Sequence, residues 1–347
     1  MKIALIAPLE ESVPPKKYGG TELIVNYLAQ SLPDKGHEVF LFASGDSKTK
    51  AKLIPIFQRP IRTEKFASDI KIRDALKYLG VAKIIKELKK IKVDLIHNHI
   101  GWRFLPFADL FNCPTLTTLH GPLTFSYQRF VYGKFKKYPF VSISNSQRKP
   151  FLNLNYAATV YNGIDLKSFH FNKNPKGKYL AFLGRMSPEK GPLEAIKIAK
   201  EAGFKIKLAA KIDAVDKEFF ESKIKPLLDG KQVEVLGEIG PKEKSNFLRE
   251  AFCLLAPMQW EEPFGLFMIE SMACGTPVIA FDRGSAGEVV KDGKTGFVVK
   301  NIEQAVSALK KINQIKREDC RKWVEENFTA EKMVDNYERV YQKVLNK

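Results

Sequence analysis

The stretch YLAFLGRMSPEKGPLEAIKIAKEAGFKIKLAA, residues 179–210, decides the fold class. Tyr179–Gly184 is apolar almost throughout, so it reads as a strand buried on both faces. A polar loop carrying Arg185 and Lys190 follows, and Gly191-Pro192 opens a stretch with apolar residues at helical spacing to about Ala202. Lys205–Ala210 is a second apolar strand. Strand, loop, helix and strand in that order form the parallel βαβ unit.

The same alternation extends outward in both directions. Downstream lie a helical pattern near Val215–Leu228 and strands at Val233–Leu236, Cys253–Ala256 and Pro277–Phe281, and from about Glu303 onward the chain reads as helical. Upstream, strands are expected at Lys2–Ala7, Glu38–Ala43, Asp94–Asn98, Thr115–Leu119, Phe140–Ile143 and Ala158–Tyr161. Thr21–Leu32 and Ile72–Ile91 are the amphipathic stretches among them. Asn172-Lys173-Asn174-Pro175-Lys176-Gly177 reads as a linker. The expected architecture is α/β, with two doubly wound Rossmann-like domains facing each other across a cleft. Their expected bounds are 1–165 and 166–325, with a final helix over 326–347. Such domains bind ligands beyond the carboxyl ends of their strands, where helix N-termini converge.

Composition narrows the function classes. The chain has 347 residues, 44% of them hydrophobic and 28% charged, as in ordinary globular proteins. No apolar run approaches the roughly 18 residues that cross a bilayer. The apolar start at Met1–Ala7 reaches Pro8 and two glutamates without a small-residue cleavage site, so it reads as a first strand. Cys113, Cys253, Cys274 and Cys320 are widely separated and form no CxxC pair, which points to a reducing, cytoplasmic setting. Of the +18 formal charge, two thirds lies in the first half, where 25 basic side chains stand against 13 acidic ones through Asp165. Lys83, Lys86, Lys89, Lys90 and Lys92 concentrate part of it. A solvated face accounts for this charge, and so does peripheral contact with the anionic inner face of a membrane. No nucleic-acid module is present.

Four clusters carry chemistry. The first, Glu262-Pro263-Phe264-Gly265-Leu266-Phe267-Met268-Ile269-Glu270, crosses from a loop into a helix, whose free N–H groups suit an anion or sugar hydroxyls. Glu270 is suited to accept two hydrogen bonds from a vicinal diol. Arg185 and Lys190 form the second, two cations beside a helix start, suited to a diphosphate. In the third, Lys17-Tyr18-Gly19-Gly20-Thr21-Glu22, paired glycines permit positive φ and close approach to a ligand. That loop does not match GxGxxG, which counts against a dinucleotide-dependent oxidoreductase. The fourth is His120-Gly121-Pro122, at the carboxyl end of a strand. His97 and His99 also end a strand but rank lower, because nothing downstream of them resembles a site. No Asp-x-Asp occurs, and the His and Cys positions have no metal spacing, so no metal or other cofactor is expected.

Together these clusters resemble the retaining GT-B glycosyltransferases of the E-x7-E, family-four type, and within them the avilamycin-type subgroup. The resemblance also runs through Phe42–Ser47, Thr118–Gly121, Ser142–Arg148 and Tyr161–Asp165. It implies transfer of a hexose-type sugar from a nucleotide diphosphate, by default a UDP-sugar, to an acceptor hydroxyl without a metal. The acceptor class stays open among lipid-linked, polysaccharide and small-molecule hydroxyls. By the resemblance, Glu262 with Phe264, Gly265 and Leu266 holds the donor sugar, and Glu270 the ribose. Arg185 and Lys190 hold the diphosphate, Gly20 approaches the β-phosphate, and His120 sits over the sugar. Asn162 lies in the family's Asn-Gly-Ile-Asp turn, while Asn145 and Arg148 fall on the acceptor side. Two departures stand out: Ala210-Lys211 replaces the subgroup's Gly-Lys at a nucleotide contact, and Ser285-Ala286-Gly287-Glu288 lacks the usual proline. The alternatives are a nucleotide-sugar-binding protein without turnover and a GT-B phosphorylase or epimerase.

Overall fold

The computed structural model describes residues 1–17, 19–65 and 67–346. They form two compact units: Met1–Asn162 together with the C-terminal segment from Ala330, and Gly163–Thr329.

The first unit is a seven-stranded parallel sheet: β1 (Lys2–Ile6), β2 (Glu38–Ser44), β3 (Lys52–Phe57), β4 (Leu95–Asn98), β5 (Thr115–Thr118), β6 (Phe140–Ser142) and β7 (Tyr156–Thr159). Its order is β3-β2-β1-β4-β5-β6-β7, and every pairing is parallel. Helices α1 (Gly20–Asp34), α2 (Ile70–Leu88) and α3 (Ser126–Gly133) belong to the same unit. The reason for double coverage is visible in β1, where Ile3, Ala4, Leu5 and Ile6 are all buried whichever face they point to.

The second unit holds β8 (Tyr179–Arg185), β9 (Lys205–Lys211), β10 (Val233–Val235), β11 (Cys253–Ala256), β12 (Val278–Phe281) and β13 (Gly296–Val299), in the order β10-β9-β8-β11-β12-β13. Its helices are α4 (Pro192–Glu201), α5 (Lys217–Phe219), α6 (Pro241–Glu250), α7 (Leu266–Ala273), α8 (Ala286–Val289), α9 (Ile302–Leu309) and α10 (Arg317–Asn327). The last helix, α11 (Ala330–Leu345), is part of the first unit. It buries Tyr337 and Tyr341 completely, and Lys35 bonds to Asp335 at 2.8 Å and to Glu338 at 3.0 Å.

Both sheets share one plan. The first strand of each lies in the middle, the second and third follow on one side, and the fourth begins the other. The direction of winding therefore reverses between β1 and β4 in the first unit, and between β8 and β11 in the second. A crevice opens at the carboxyl ends of such a pair because the loops leaving the two strands turn to opposite faces of the sheet.

Several elements differ from the sequence reading. The strands β3 and β13 and the helices α3, α6 and α8 are additional. The helix expected near Val215–Leu228 is instead a broken run: a 3₁₀ turn at Ala214–Asp216, α5, a π turn at Phe220–Ile224 and a 3₁₀ turn at Lys225–Leu227. Pro226 lies in that last turn, and a proline lacks the N–H that would continue an α-helix.

Candidate functional site

In the second unit, Arg185 ends β8, and its register partner Lys211 ends β9. Lys190 lies in the 3₁₀ turn Pro188–Lys190 that leads into α4. Glu262 lies in the loop between β11 and α7. Because the strands are parallel, all four stand at the carboxyl edge, and Arg185, Lys190 and Glu262 occupy the loops that leave the two strands of the switch point. The backbone joins those loops directly, with Gln259 N donating to Glu189 O at 2.9 Å.

Lys190 and Glu262 meet. The ammonium forms a salt bridge with Oε2 of Glu262, and the same oxygen accepts from Trp260 Nε1 at 3.0 Å. Both side chains are largely buried, at 14% and 9% exposure. Lys190 Nζ also lies 4.8 Å from the centre of the Trp260 ring and 5.6 Å from that of Phe267, distances of cation–π attraction. Glu261 and Glu262 are held from behind: Gly284 N donates to Glu261 Oε2 at 2.7 Å, and Ser285 N to Glu262 O at 2.9 Å. Ser285 Oγ donates to Phe264 O at 2.8 Å, so the turn that lacks the family's proline is fixed by a buried serine.

Two helices start at this edge from left-handed glycines. Gly191 (φ 75°) precedes α4 and Gly265 (φ 80°) precedes α7, and neither helix has a side-chain cap. At Gly191 a Cβ would lie 2.0 Å from Pro257 O, so only glycine permits this approach of the two switch-point loops. The uncapped N-termini present N–H groups to a ligand.

The cations are not an open cradle, however. Arg185 is paired with Glu189 and lies 3.2 Å from Asp216 Oδ2, Lys211 is 3.0 Å from Asp213, and Lys190 holds Glu262. Burial raises the Asp216 carboxyl pKa, the Arg185 charge opposes that rise and Asp213 adds to it. Glu270, buried on α7, is paired with Lys244 of α6 rather than sharing the Glu262 pair. Positive groups converging on one point, the simplest reading of the sequence, is thus corrected to a set of ion pairs along one sheet edge. Sequence reasoning missed Glu189, Asp213, Asp216, Lys244 and Trp260. Of these, two had a local signal: Trp260, two residues before Glu262, and Glu189, four residues after Arg185 and next to Lys190.

The first unit has its own arrangement. Gly20 is the first residue of α1 after Gly19, whose φ of 163° is extended, and neither glycine is left-handed. That corrects the reason given for this pair: what Gly19 avoids is a Cβ 2.6 Å from that of Pro15. Tyr18 of the same motif lies outside the described residues. Asn145 donates to the Tyr161 hydroxyl at 3.0 Å and accepts from Thr159 at 3.1 Å. Arg148 donates to Ser142 Oγ at 2.8 Å and covers the Tyr156 ring at 4.5 Å. Asn162 is buried, and its Oδ1 has no partner among the described residues.

His120 does not stand alone: His99 and His97, which rank lower in the sequence, form a chain with it. His120 Nε2 and His99 Nδ1 are 2.9 Å apart and share a hydrogen bond, and the rings of His99 and His97 are 4.0 Å apart. His97 is held at 2.8 Å from the Tyr341 hydroxyl and 2.8 Å from Thr118 Oγ1, which lies 3.1 Å from the Tyr337 hydroxyl. Burial lowers all three imidazole pKa values, that of His120 to about 3, so these three histidines are neutral at physiological pH. His99 and His120 line a cavity of about 310 Å³ at the switch point between β1 and β4. The available signal was two strands, neighbours in the sheet, each followed by a histidine.

Among the described residues no group of three His, Cys, Asp or Glu is arranged to hold a metal ion, and no helix is long and apolar enough to cross a membrane.

Comparison with known proteins agrees with this fold. The profile of Glycosyltransferase Family 4 matches residues 18–168, and that of Glycosyl transferases group 1 matches residues 164–329. The chain is a GT-B glycosyltransferase of the group 1 and family 4 type. An uncharacterised glycosyltransferase of Methanocaldococcus jannaschii is 28% identical over 298 residues, covering 77% of this chain and 82% of the relative. A crystallised glycosyltransferase of avilamycin A biosynthesis superposes with a TM-score of 0.75 at 22% identity, over 100% of this chain and 98% of that one. Anabaena HepE, crystallised with UDP and glucose, gives 0.77 at 18% identity, over 99% and 100% of the two chains. Both superpositions show the same fold.

Proposed function

We propose that this glycosyltransferase moves a hexose from a UDP-sugar to an acceptor hydroxyl with retention at the anomeric carbon and without a metal. The observation that carries the reading is the switch point of the second unit. There Lys190 and Glu262 pair between the uncapped starts of α4 and α7. An anion and a polyol are what such an edge can hold: N–H groups and ammonium for phosphate oxygens, carboxylate for sugar hydroxyls. UDP and glucose in the fold neighbour HepE favour uridine and a hexose.

In this reading Glu262, with the backbone of Phe264, Gly265 and Leu266, binds the donor sugar, and Glu270 binds the ribose hydroxyls. Arg185 and Lys190 bind the diphosphate, with Lys211 nearby at the nucleotide and Gly20 at the β-phosphate. The diphosphate enters by exchanging partners with Glu189, Asp216 and Glu262. The anomeric carbon–oxygen bond breaks toward the diphosphate, and the cations and helix starts stabilise the charge that collects there. The acceptor oxygen forms the new bond on the same face, and its proton passes to the departing phosphate oxygen. No enzyme carboxylate serves as nucleophile, so the two-carboxylate scheme of glycosidases does not apply. His120, held neutral, contributes a hydrogen bond to the sugar rather than a charge.

The test is a donor panel. UDP release from UDP-glucose and UDP-N-acetylglucosamine is measured with the protein alone and with candidate acceptors, with NMR of the product's anomeric proton. A product of inverted configuration, or turnover that vanishes when divalent ions are chelated, would refute the mechanism.

A further inference from the structure

The cavity of the first unit has no role yet, and its lining is specific. The loop after β1 supplies Leu9 and Glu10, the segment after β4 supplies His99 to Arg103, and α2 and α3 close the sides. Aliphatic Leu9, Ile61, Val81 and Ile84 and aromatic Trp102 and Tyr132 give it flat, apolar surfaces. Exposed Tyr127, which also lines it, stacks with Phe125 at 6.1 Å.

Its polar atoms are unsatisfied in a particular way. Among the described residues, His99 Nε2, Arg103 Nε and Gln128 Oε1 are buried atoms without a hydrogen-bond partner, and all three residues line this cavity. His99 is only 4% exposed, and its Nδ1 is committed to His120. Buried polar atoms left unpaired cost free energy, so three around one cavity mark a place built for a ligand. The set also specifies the ligand. Arg103 Nε donates, Gln128 Oε1 accepts, and one neutral imidazole nitrogen does either, according to tautomer. As the amide stands, a deprotonated phosphate or carboxylate oxygen offers the glutamine oxygen no donor, whereas hydroxyl groups both donate and accept. The cations on the wall are already matched: Lys77 lies 3.1 Å from Glu10 and Arg103 lies 3.7 Å from Asp74. An arriving anion would meet the Glu10 carboxylate on the same wall.

We infer that this cavity binds the acceptor as a neutral sugar ring, whose apolar faces lie against the aromatic side chains and whose hydroxyls pair with His99, Arg103 and Gln128. His99 thereby joins the acceptor to His120, as a positioning residue for both. This rests on the transferase reading above, and its test separates the two.

The three tryptophans, at 102, 260 and 323, report on different places: Trp102 lines the cavity, Trp260 bonds to Glu262, and Trp323 donates to Val289 O. Protein labelled with 5-fluorotryptophan gives three resolvable ¹⁹F signals. Methyl α-glucopyranoside and N-acetylglucosamine are expected to shift the Trp102 signal saturably and leave that of Trp323 in place. UDP shifts the Trp260 signal. His99→Asn keeps an amide at the Nδ1 position for His120 but removes the Nε2 contact, and weakens sugar binding at least tenfold. His99→Gln places its amide near Nε2 and holds sugar affinity within about threefold of wild type, while losing the bond to His120. An unshifted Trp323 signal certifies that each variant is folded. If UDP moves Trp260 but neither sugar moves Trp102, the acceptor inference is overturned and the donor reading stands. Silence of Trp260 toward UDP refutes the donor reading instead. Preference for glucuronate or glucose 6-phosphate over the neutral sugars, or equal affinity in the Asn and Gln variants, also overturns the inference.

Discussion

Replacing Glu262 with glutamine tests whether the buried pair at the switch point holds Lys190 for a diphosphate. The amide keeps the shape and still accepts from Trp260 Nε1, but removes the charge opposite an ammonium that is only 14% exposed. Breaking one side of a buried ion pair costs 3–5 kcal/mol, and the retained hydrogen bond places Glu262→Gln at the lower end, about 3 kcal/mol. For a folding unit of this size, that lowers the melting temperature by roughly 6–12 °C. A double-mutant cycle isolates the pair: Lys190→Met with Glu262→Gln should be less destabilised than Glu262→Gln alone, because no buried charge is left over. The functional arm uses UDP. In the wild type the diphosphate must displace a carboxylate from Lys190, and in the variant it need not. UDP should therefore bind Glu262→Gln about tenfold more tightly, roughly 1.4 kcal/mol, and raise its melting temperature by more than it raises that of the wild type. Thermal melts over a UDP series measure both. An unchanged melting temperature would show that the pair is not buried in solution, and a smaller UDP response in the variant would refute the exchange of partners.

Other expectations follow from the same structure. Arg185→Ala and Lys190→Ala each lower kcat for sugar transfer by about 10²–10³, the usual cost of removing one group that stabilises developing charge, while circular dichroism remains that of the folded protein. Gly191→Ala forces a Cβ to 2.0 Å from Pro257 O at a positive φ and should lower stability by ~2 kcal/mol or more, read from chemical denaturation. Glu22 gives a pH dependence. Burial pushes its carboxyl up to about 7 from an ordinary 4.5, so the native state favours the protonated form. The resulting stability is complete below about pH 4.5 and is lost as pH rises through 7, by roughly 3 kcal/mol in all. Glu22→Gln should accordingly melt above the wild type at pH 8, with the gap closing at pH 4.5, and an equal gap at both values would exclude this assignment.

The sequence was most informative where burial is uniform. Strands such as β11, and β1 after Lys2, are apolar at every position because helices cover both faces, so they can be recognised without knowing their neighbours. β3 escapes this rule: it is an edge strand, KLIPIF, with an exposed lysine and a proline that an interior strand would exclude. β13 is four residues beginning with Gly296, too short to stand out from a turn. The donor-side positions were legible because they are contiguous, within 185–190 and 262–270. The distant counter-charges were not, since Asp216 reaches Arg185, and Lys244 reaches Glu270, only through the path of the chain between them. His99 shows a third case. Its partner is His120, 21 residues away on the neighbouring strand's loop, and the ring beside it, His97, is held by Tyr341 of α11, on the far side of the entire second unit in sequence.

The two switch points also separate two uses of charge. Around β8 and β11 nearly every polar group is ionised and paired, so a ligand there gains by trading one ion pair for another, which suits phosphates. Around β1 and β4 the histidines are neutral, the cations are matched and the unsatisfied atoms are a mixture of donors and acceptors, which suits hydroxyls. The excess positive charge of the N-terminal half therefore does not define the cavity. It lies elsewhere on that unit, where Lys83, Lys86, Lys89, Lys90 and Lys92 are exposed along and just beyond α2. Exposed lysines act over about a Debye length and concentrate anionic surfaces or carriers near the protein, whereas the cavity acts at contact and selects a ring. If both effects serve one acceptor, that acceptor has a neutral sugar at its reacting end and negative charge further along. Neutralising the lysine run should then raise KM for such an acceptor and leave KM for a short neutral glycoside unchanged. His99→Asn should raise both.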